Sequence, residues 1–434
     1  MVSIDTSTGL ADSGASARLR RFILGRSVPD EAVRGAAYDV AFVTSTAEIP
    51  GELWTAGFPA PLEGRWWYEA LEQSALEGQF TFLYARISRE GVPVGVAPCF
   101  VMDVPLERVT PEKLVTPLRA IARILPSILY QRTLFVGSPC SDEGTIGLLP
   151  GVNRRAVLLA LQNGLEQEAR NLGAELIVWK EMPASVSPDL DWLMTRRRLF
   201  RAIGLPGTLV TFLSPRKDDY FKQLKATRRY ALKKKLTLSA SQANLTAQVI
   251  QHPEPEVLDE IFGLFWQTYA RAKTRFEELN RPWFAKVAEL PTTHFLVLRE
   301  RDTGAMVAFM LCFDCGSRLI NKYVGFDYTK PKSWMLYFRL WDAAVDWALA
   351  QGYSSIQSGQ STYGAKIEMG HELLPLVNYL RHRNPLLHAL YGRIVRNLDW
   401  AKLDDDLAAF LRAHPEASAM NMMAPQRRAG ARFC

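Results

Sequence analysis

Between residues 358 and 371 the sequence reads SGQSTYGAKIEMGH, which sets Ser358, Gln360, Ser361, Tyr363, Lys366, Glu368 and His371 within a single short stretch. Hydroxyls, an amide, an amine, a carboxylate and an imidazole together can orient a polar substrate and move protons. His371 is the only histidine of the stretch, and an ordinary imidazole accepts an ammonium proton near neutrality. Its competing role is a loop-capping hydrogen bond beside Gly370. Tyr363 and Lys366 are three residues apart, so one helical turn presents them together, while Glu368 points away from Lys366. Tyr363, Lys366 and His371 are therefore the expected catalytic residues, with Ser358 and Gln360 as substrate contacts. Asn321, Tyr323 and Asp327 are expected on the facing wall. Asp327 either orients an amine or closes an ordinary Asp-Tyr turn.

These residues need elements to hold them. Ile320 to Gly325 reads as a short strand, and Trp334, Phe338, Trp341, Val345 and Ala348 fall on one face of a helix from Trp334 to Ala350. Gly352 stops that helix, and Tyr353 to Gln357 reads as a second strand. Upstream, His294 to Asp314 reads as a hairpin turning at Asp302-Thr303-Gly304. The same order recurs earlier in the chain. A hairpin spans Phe80 to Met102 with its turn at Glu90-Gly91, a strand follows at Leu134 to Gly137, a helix at Arg154 to Leu172 ends on Gly173, and a strand follows at Leu176 to Trp179. A strand near Tyr38 and a helix from Trp66 to Glu77 precede them. The expected fold class is α/β (α+β), two tandem mixed-sheet domains at 38–214 and 215–400 joined near Pro215. A mobile arm at 1–37 and a C-terminal helix and tail at 401–434 flank them.

The runs VGFDY, YFRLWDAAVDWALAQGY and STYGAKIEMG resemble the double-domain GNAT-like proteins, often labelled peptidoglycan biosynthesis or BioF2-like acetyltransferases, with Fem-type aminoacyl transferases among the relatives. The resemblance covers roughly residues 41 to 399 and is best in the second half. Its most specific feature is Tyr363, Lys366 and Gly370. It implies two GNAT-like units, an active site in the second, and amide formation from a thioester or ester. That reaction needs a neutral amine, donors to the oxyanion and a proton source for the leaving group. It also implies a substrate-facing helix at Trp266 to Glu278, with Tyr269, Arg271 and Lys273 as candidates. The sequence departs from the family where many members hold the pyrophosphate of coenzyme A in an Arg/Gln-x-x-Gly-x-Gly/Ala loop. Here that place reads GFDYTKPKS, so phosphate binding would fall to helix N-terminal amides with Lys330 and Lys332.

Composition narrows the classes. The 434 residues are 48% hydrophobic and 22% charged, ordinary globular values with length for two cores. Five cysteines, including a lone Cys312-Phe-Asp-Cys315 inside the hairpin, form neither a disulfide framework nor a paired zinc motif, so no metal is expected. The first residues lack a basic start followed by an apolar core, and no uncharged apolar run approaches about eighteen residues. The expectation is a cytoplasmic protein with peripheral contact to the inner membrane.

The net charge of +7 is local, because residues 216 to 235 carry nine Lys or Arg against Asp218 and Asp219. That segment reads as one basic helix with its acids at the amino end and its lysines near the carboxyl end. Arg228, Arg229 and Lys233 suit the phosphates of coenzyme A, of lipid headgroups or of transfer RNA, or simply form a solvated face. Two further stretches, 111–131 and 385–398, line leucines and isoleucines beside arginines, a pattern of interfacial helices, of a flap over an apolar tunnel, or of surface packing.

The expected activity is N-acyl transfer from acyl-CoA, a co-substrate rather than a permanently bound cofactor, onto a primary amine. A long-chain acyl group and a sphingoid amine, as in bacterial ceramide synthesis, are the specific expectation. The alternatives are a Fem-type enzyme using aminoacyl-tRNA on a peptide or cell-wall precursor, and a catalytically silent binding protein.

Overall fold

In the computed structural model, which describes residues 38–105, 130–272 and 277–417, the sheets grow from hairpins whose central strands are apolar on both faces. Strand β1 (Tyr38–Val43) leads through helices α1 (Gly51–Gly57) and α2 (Arg65–Glu72) to the hairpin β2 (Thr81–Arg89) and β3 (Val92–Pro105). Residues 94 to 102 are all buried, as a strand covered on both faces must be. β4 (Tyr130–Val136), the two-residue β5 (Gly147–Leu148), α3 (Arg154–Asn171), β6 (Leu176–Pro183), α4 (Ser187–Arg197) and β7 (Phe200–Ile203) complete the first half. Gly173 (φ +69°) ends α3 in the left-handed region, where glycine has no steric penalty.

The second half repeats the pattern. After β8 (Gly207–Thr211) come α5 (Lys217–Gln223), α6 (Ala226–Gln242), β9 (Leu245–Ile250), α7 (Pro255–Arg271), α8 (Arg281–Ala288) and the hairpin β10 (Thr293–Glu300) and β11 (Met306–Cys315). β12 (Arg318–Phe326), α9 (Leu336–Gln351), β13 (Ser355–Ser358), the short α10 (Tyr363–Glu368), β14 (Glu372–Leu374) and β15 (Leu376–His382) follow. α11 (Pro385–Val395), α12 (Trp400–Leu403) and α13 (Asp405–Ala413) close the described chain.

The two sheets have matching strand orders, β1-β2-β3-β4-β6-β15-β7 and β9-β10-β11-β12-β13-β8-β14. Each contains one parallel pair, β4 with β6 and β12 with β13, spanned by the crossover helices α3 and α9 as parallel strands require. Two strands are exchanged between halves. β8 pairs antiparallel with β13, and β15 pairs antiparallel with β6. The expected division near Pro215 is thereby corrected, since β8 precedes it yet belongs to the second sheet, and β15 follows it yet belongs to the first.

The expected basic helix is also two helices. Leu224 is buried and extended (ψ 139°) between α5 and α6, so Asp218 and Asp219 sit in the first turn of α5 and do not complement the dipole of α6. α9 begins at Leu336, because Lys332–Trp334 forms a separate 3₁₀ turn and Met335 adopts the left-handed conformation (φ 47°). The expected arm at 1–37, most of the 111–131 stretch, Lys273 and the tail beyond 417 lie outside the described residues.

One apolar core joins the halves. Trp67 on α2 packs edge-on against Trp283 on α8 at 5.9 Å and against Phe313 on β11 at 5.5 Å. Each such aromatic, taken wholly out of water, contributes about 1.5–3 kcal/mol. Gln79 and Glu278 clasp across the same seam, side-chain amide to backbone in both directions at 2.7 and 2.8 Å.

α7 lies directly on β12. A Cβ added at Gly325 would stand 2.6 Å from the Leu264 carbonyl carbon and 2.7 Å from the Phe265 nitrogen, so helix backbone occupies the space a side chain would need. Gly325→Ala is predicted to destabilise the protein by about 1–3 kcal/mol through this overpacking, read as a lowered urea midpoint. An unchanged midpoint would show that α7 does not seat on β12 as described.

Candidate active site at the parting of two strands

β12 and β13 stay paired from Arg318/Ser355 only to Asn321/Ser358. β13 then ends, and β12 runs on to Phe326 with no strand on that side among the described residues. Lys322 forms a bulge at the same point, for Tyr323 pairs with Leu311 and Asn321 with Cys312. A bulge adds one residue to one strand and turns its side chain and backbone locally. The result is a cleft of about 560 Å³. One wall carries Asn321, Lys322, Val324, Phe326 and Asp327, and the other carries Gly359, Ser361, Thr362 and Lys366. Lys330, Lys332 and the start of α9 form its end. Among the described residues no side chain caps the amino terminus of α9, so its first amides are available to an anion.

Lys366 is the one lysine of the cleft whose pKa is lowered by burial. It is only 4% exposed, and its Nζ donates to the Gly359 carbonyl. Burial pulls its pKa down to about 8, against the opposing charge of Asp142. Removing an ammonium from water disfavours the charged form, so this amine changes state within the range where enzymes work.

Lys322 is the opposite case. Its side chain is 2% exposed and lies 3.4 Å from Glu63 and 3.5 Å from Asp142, both from the first half of the chain. The ring of Trp67 lies 5.0 Å from the same Nζ. Burial alone would lower the Lys322 pKa, but Asp142 and Glu63 more than reverse this and hold it above the usual lysine value. Asp142 lies behind the cleft wall, where its Oδ1 would stand 3.4 Å from a Cβ built at Gly359. Its Oδ2 is buried without a hydrogen-bond partner among the described residues. Around this pair burial raises the pKa of Glu277, opposed by Lys180, and that of Glu143, opposed by Arg318.

The expected catalytic residues do not converge. Lys366 faces the cleft, but Tyr363 is buried and its hydroxyl donates to the Pro206 carbonyl at 2.8 Å. Burial raises its pKa, helped by the charges of Asp404 and Glu181. Tyr363 thus ties α10 to the segment before β8. His371 is buried against Trp341, with ring centroids 4.5 Å apart. Burial first, then the charge of Lys366, push its pKa down to about 3, so it is neutral at working pH and no ordinary base.

His371 nevertheless connects to the cleft. Its Nδ1 stands 2.9 Å from the Lys366 carbonyl and its Nε2 3.3 Å from Ser358 Oγ. Asn321 Nδ2 donates to that same oxygen at 3.1 Å. A carbonyl only accepts, so Nδ1 carries the proton, Nε2 accepts from Ser358, and Ser358 accepts from Asn321. The chain fixes the Asn321 amide at the point where the strands separate.

The other expected residues divide in the same way. Asp327 lines the cleft but accepts from Thr329 N and Oγ1 at 2.9 and 2.6 Å, which is the ordinary turn. Tyr323 faces the opposite side of β12, where its hydroxyl donates to Glu277 at 3.1 Å. Gln360 donates to the Leu205 carbonyl at 3.0 Å. Lys330 and Lys332 both line the cleft, and Lys330 is paired with Glu300 at 2.6 Å. Tyr269 and Arg271 stand at the end of α7, with Arg271 over the ring of Tyr328 at 4.4 Å. Arg228, Arg229 and Lys233 lie on α6 outside the lining, with Lys233 over Phe221 at 5.1 Å. Glu63, Trp67, Asp142 and Lys322 were not expected. Only Lys322, a lone charge within INKYVGF, carried a sequence signal. Among the described residues no group of His, Cys, Asp or Glu could hold a metal ion. The Cys312 and Cys315 thiols are buried and uncoupled, and burial pushes that of Cys315 up to about 12.

Two outcomes follow from these ionisations. Lys366 binds a proton more weakly folded than unfolded, so stability rises with pH between about 8 and the ordinary lysine value of about 10.4. Urea unfolding across that window should show the rise in the wild type and not in Lys366→Met. Asp142→Asn removes the charge that supports the Lys366 ammonium, so the amine should titrate below 8, as followed by NMR of the reductively methylated lysine. An unchanged titration would separate Asp142 from the cleft.

Comparison with known proteins agrees with this architecture. Residues 214–395 match the FemAB-like family, described as peptidoglycan biosynthesis/recognition. No curated protein sequence matches the chain. Among solved structures, FemX aligns with a TM-score of 0.53 at 11% identity, over 81% of this chain and 100% of FemX. A tandem GNAT protein from the clavulanic acid biosynthesis pathway aligns with a TM-score of 0.50 at 11% identity, over 80% of this chain and 99% of that one. A conserved protein of unknown function from Bacteroides thetaiotaomicron also reaches 0.50 at 11% identity, over 79% and 98%. At such identities these likenesses establish the fold alone. The chain therefore has the tandem GNAT-like fold, and its residues 214–395 match the FemAB-like family model.

Proposed function

We propose that this protein is a Fem-type transferase that moves an aminoacyl group from a transfer RNA ester to a primary amine of a cell-wall precursor, using the cleft between β12 and β13. One observation carries the reading. The FemAB-like stretch contains both cleft walls and, between them, a buried amine with its pKa drawn to about 8.

The chemistry follows from the residues. The donor carbonyl enters where the strands part, and its oxygen gains negative charge as the amine attacks. Lys366, largely protonated at neutral pH, donates to that oxygen or to the departing ribose oxygen. The Asn321 amide, held by Ser358 and His371, is a second fixed donor. The attacking amine loses a proton on forming the amide bond, and the Asp142 carboxylate behind Gly359 is the acceptor we propose for it. Lys332 and the open end of α9 attract donor phosphate, and the cations of α6 extend this attraction toward a polyanion.

A second reading rests on the same phosphate-binding end. There the donor is acyl-CoA, as a co-substrate, and the acceptor a simple or lipid amine. The Fem-type reading takes precedence because the long-chain and sphingoid expectation rested on two amphipathic stretches, not on the site.

The test is transfer of radiolabelled amino acid from aminoacyl-tRNA to a stem peptide with a free side-chain amine. Expected are label in the peptide, loss of transfer on ribonuclease treatment, and a drop of about a hundredfold or more in Lys366→Met. Transfer only from acyl-CoA would replace this reading with the second. Transfer from neither would leave a ligand-binding protein without catalysis.

A further inference from the structure

α11 is unlike the other surface helices of this chain. Its sequence, PLLHALYGRIV, has no acidic residue, and none of its residues is buried. An all-round apolar helix is normally covered. Its inner side rests on the first sheet, where a Cβ built at Gly392 would stand 3.5 Å from Phe200 and the His388 ring is tilted by 60° against the same ring at 5.0 Å. The outer side presents Leu386 at 78% exposure and Leu390 at 49%, with Tyr130 at 58% on the neighbouring strand. Tyr391 ties the two elements together by donating to Gln131 at 3.2 Å.

The charges along this segment are mostly positive, although Glu175 of the first half stands beside Arg383 and Tyr391. Residues 381 to 402 contain five Lys or Arg against a single acid, Asp399. Arg393 and Arg396, both exposed, continue the outer face of α11 and its end without an ion-pair partner among the described residues. Asn384 caps the helix by accepting from Leu386 N and Leu387 N at 2.9 and 3.3 Å, so the face is built before any partner arrives. Among the described residues no helix is long and apolar enough to cross a membrane.

We infer that the outer face of α11 is a docking surface for an anionic lipid bilayer, with Leu386, Leu390 and Tyr130 entering the interface and Arg393 and Arg396 meeting the headgroups. Charge complementarity selects this occupant, since exposed leucines followed by two exposed arginines with no ion-pair partner among the described residues suit an anionic interface.

The test is co-sedimentation of the whole protein with vesicles of phosphatidylcholine alone and of phosphatidylcholine and phosphatidylglycerol in equal parts, with hydrogen exchange over residues 386–396. The wild type should pellet with the mixed vesicles only, gain protection in α11, and be released by salt. The double variant Leu386→Ser with Leu390→Ser, and separately Arg393→Glu with Arg396→Glu, should each lower the bound fraction about tenfold or more with an unchanged melting curve. A wild type that stays in solution with both vesicles would overturn the proposal, as would binding unaffected by the leucine pair. So would a wild-type dimer in sedimentation velocity that the same pair dissociates, which would make the face an interface between copies. Protection of α11 that is equal with and without vesicles would mean that the chain itself covers it.

Discussion

An ammonium group taken out of water must be met by carboxylates, or it gives up its charge. Lys322 is such a group, and the carboxylates that meet it, Glu63 and Asp142, come from the other half of the chain. Its position is equally constrained. The bulge that turns it inward lies where β13 stops pairing with β12, so the charge that welds the halves together also sits at the opening of the cleft. Breaking a pair buried this deeply costs about 3–5 kcal/mol. The site in the second half is therefore coupled to the first half through this buried charge. Exchange of β8 and β15 between the sheets makes the same dependence covalent.

Within that frame, two buried nitrogen bases are tuned in different ways for different work. Lys366 keeps some access to charge because Asp142 opposes part of its desolvation. His371 has only the Lys366 carbonyl in favour of its charged form, is buried facing the Lys366 charge, and stays neutral. Its contribution is direction: one tautomer, set by a carbonyl, orders a serine that orders an asparagine. Preorganised donors of this kind stabilise developing charge without rearranging during the reaction.

Much of the architecture was legible in the sequence because local physics dictates it. Glycine turns closed both hairpins, Gly173 and Gly352 ended both crossover helices with positive φ, and the repeated order disclosed the tandem units. What escaped depends on distance in sequence. Lys322 and Glu63 are 259 residues apart, and no local pattern links them. The exchanged strands β8 and β15 are five and seven residues long and carry no mark of which sheet they join. Spacing put Tyr363 and Lys366 on one turn, but it could not show that Pro206 would capture the tyrosine hydroxyl. Residue type made His371 look like a base, and only its burial against Trp341 reveals otherwise. The break at Leu224 was hidden because its cause is a tertiary contact of an apolar side chain with the second core.

The central claim is that acyl transfer occurs where β12 and β13 part. The most direct measurement is a crystal structure of the protein bound to an aminoacyl-adenosine analogue whose labile ester is replaced by an amide. The account predicts density for the aminoacyl carbonyl between Asn321 and Lys366, with the adenosine toward Lys332 and the first turn of α9. An analogue bound elsewhere, with the cleft empty, would contradict it.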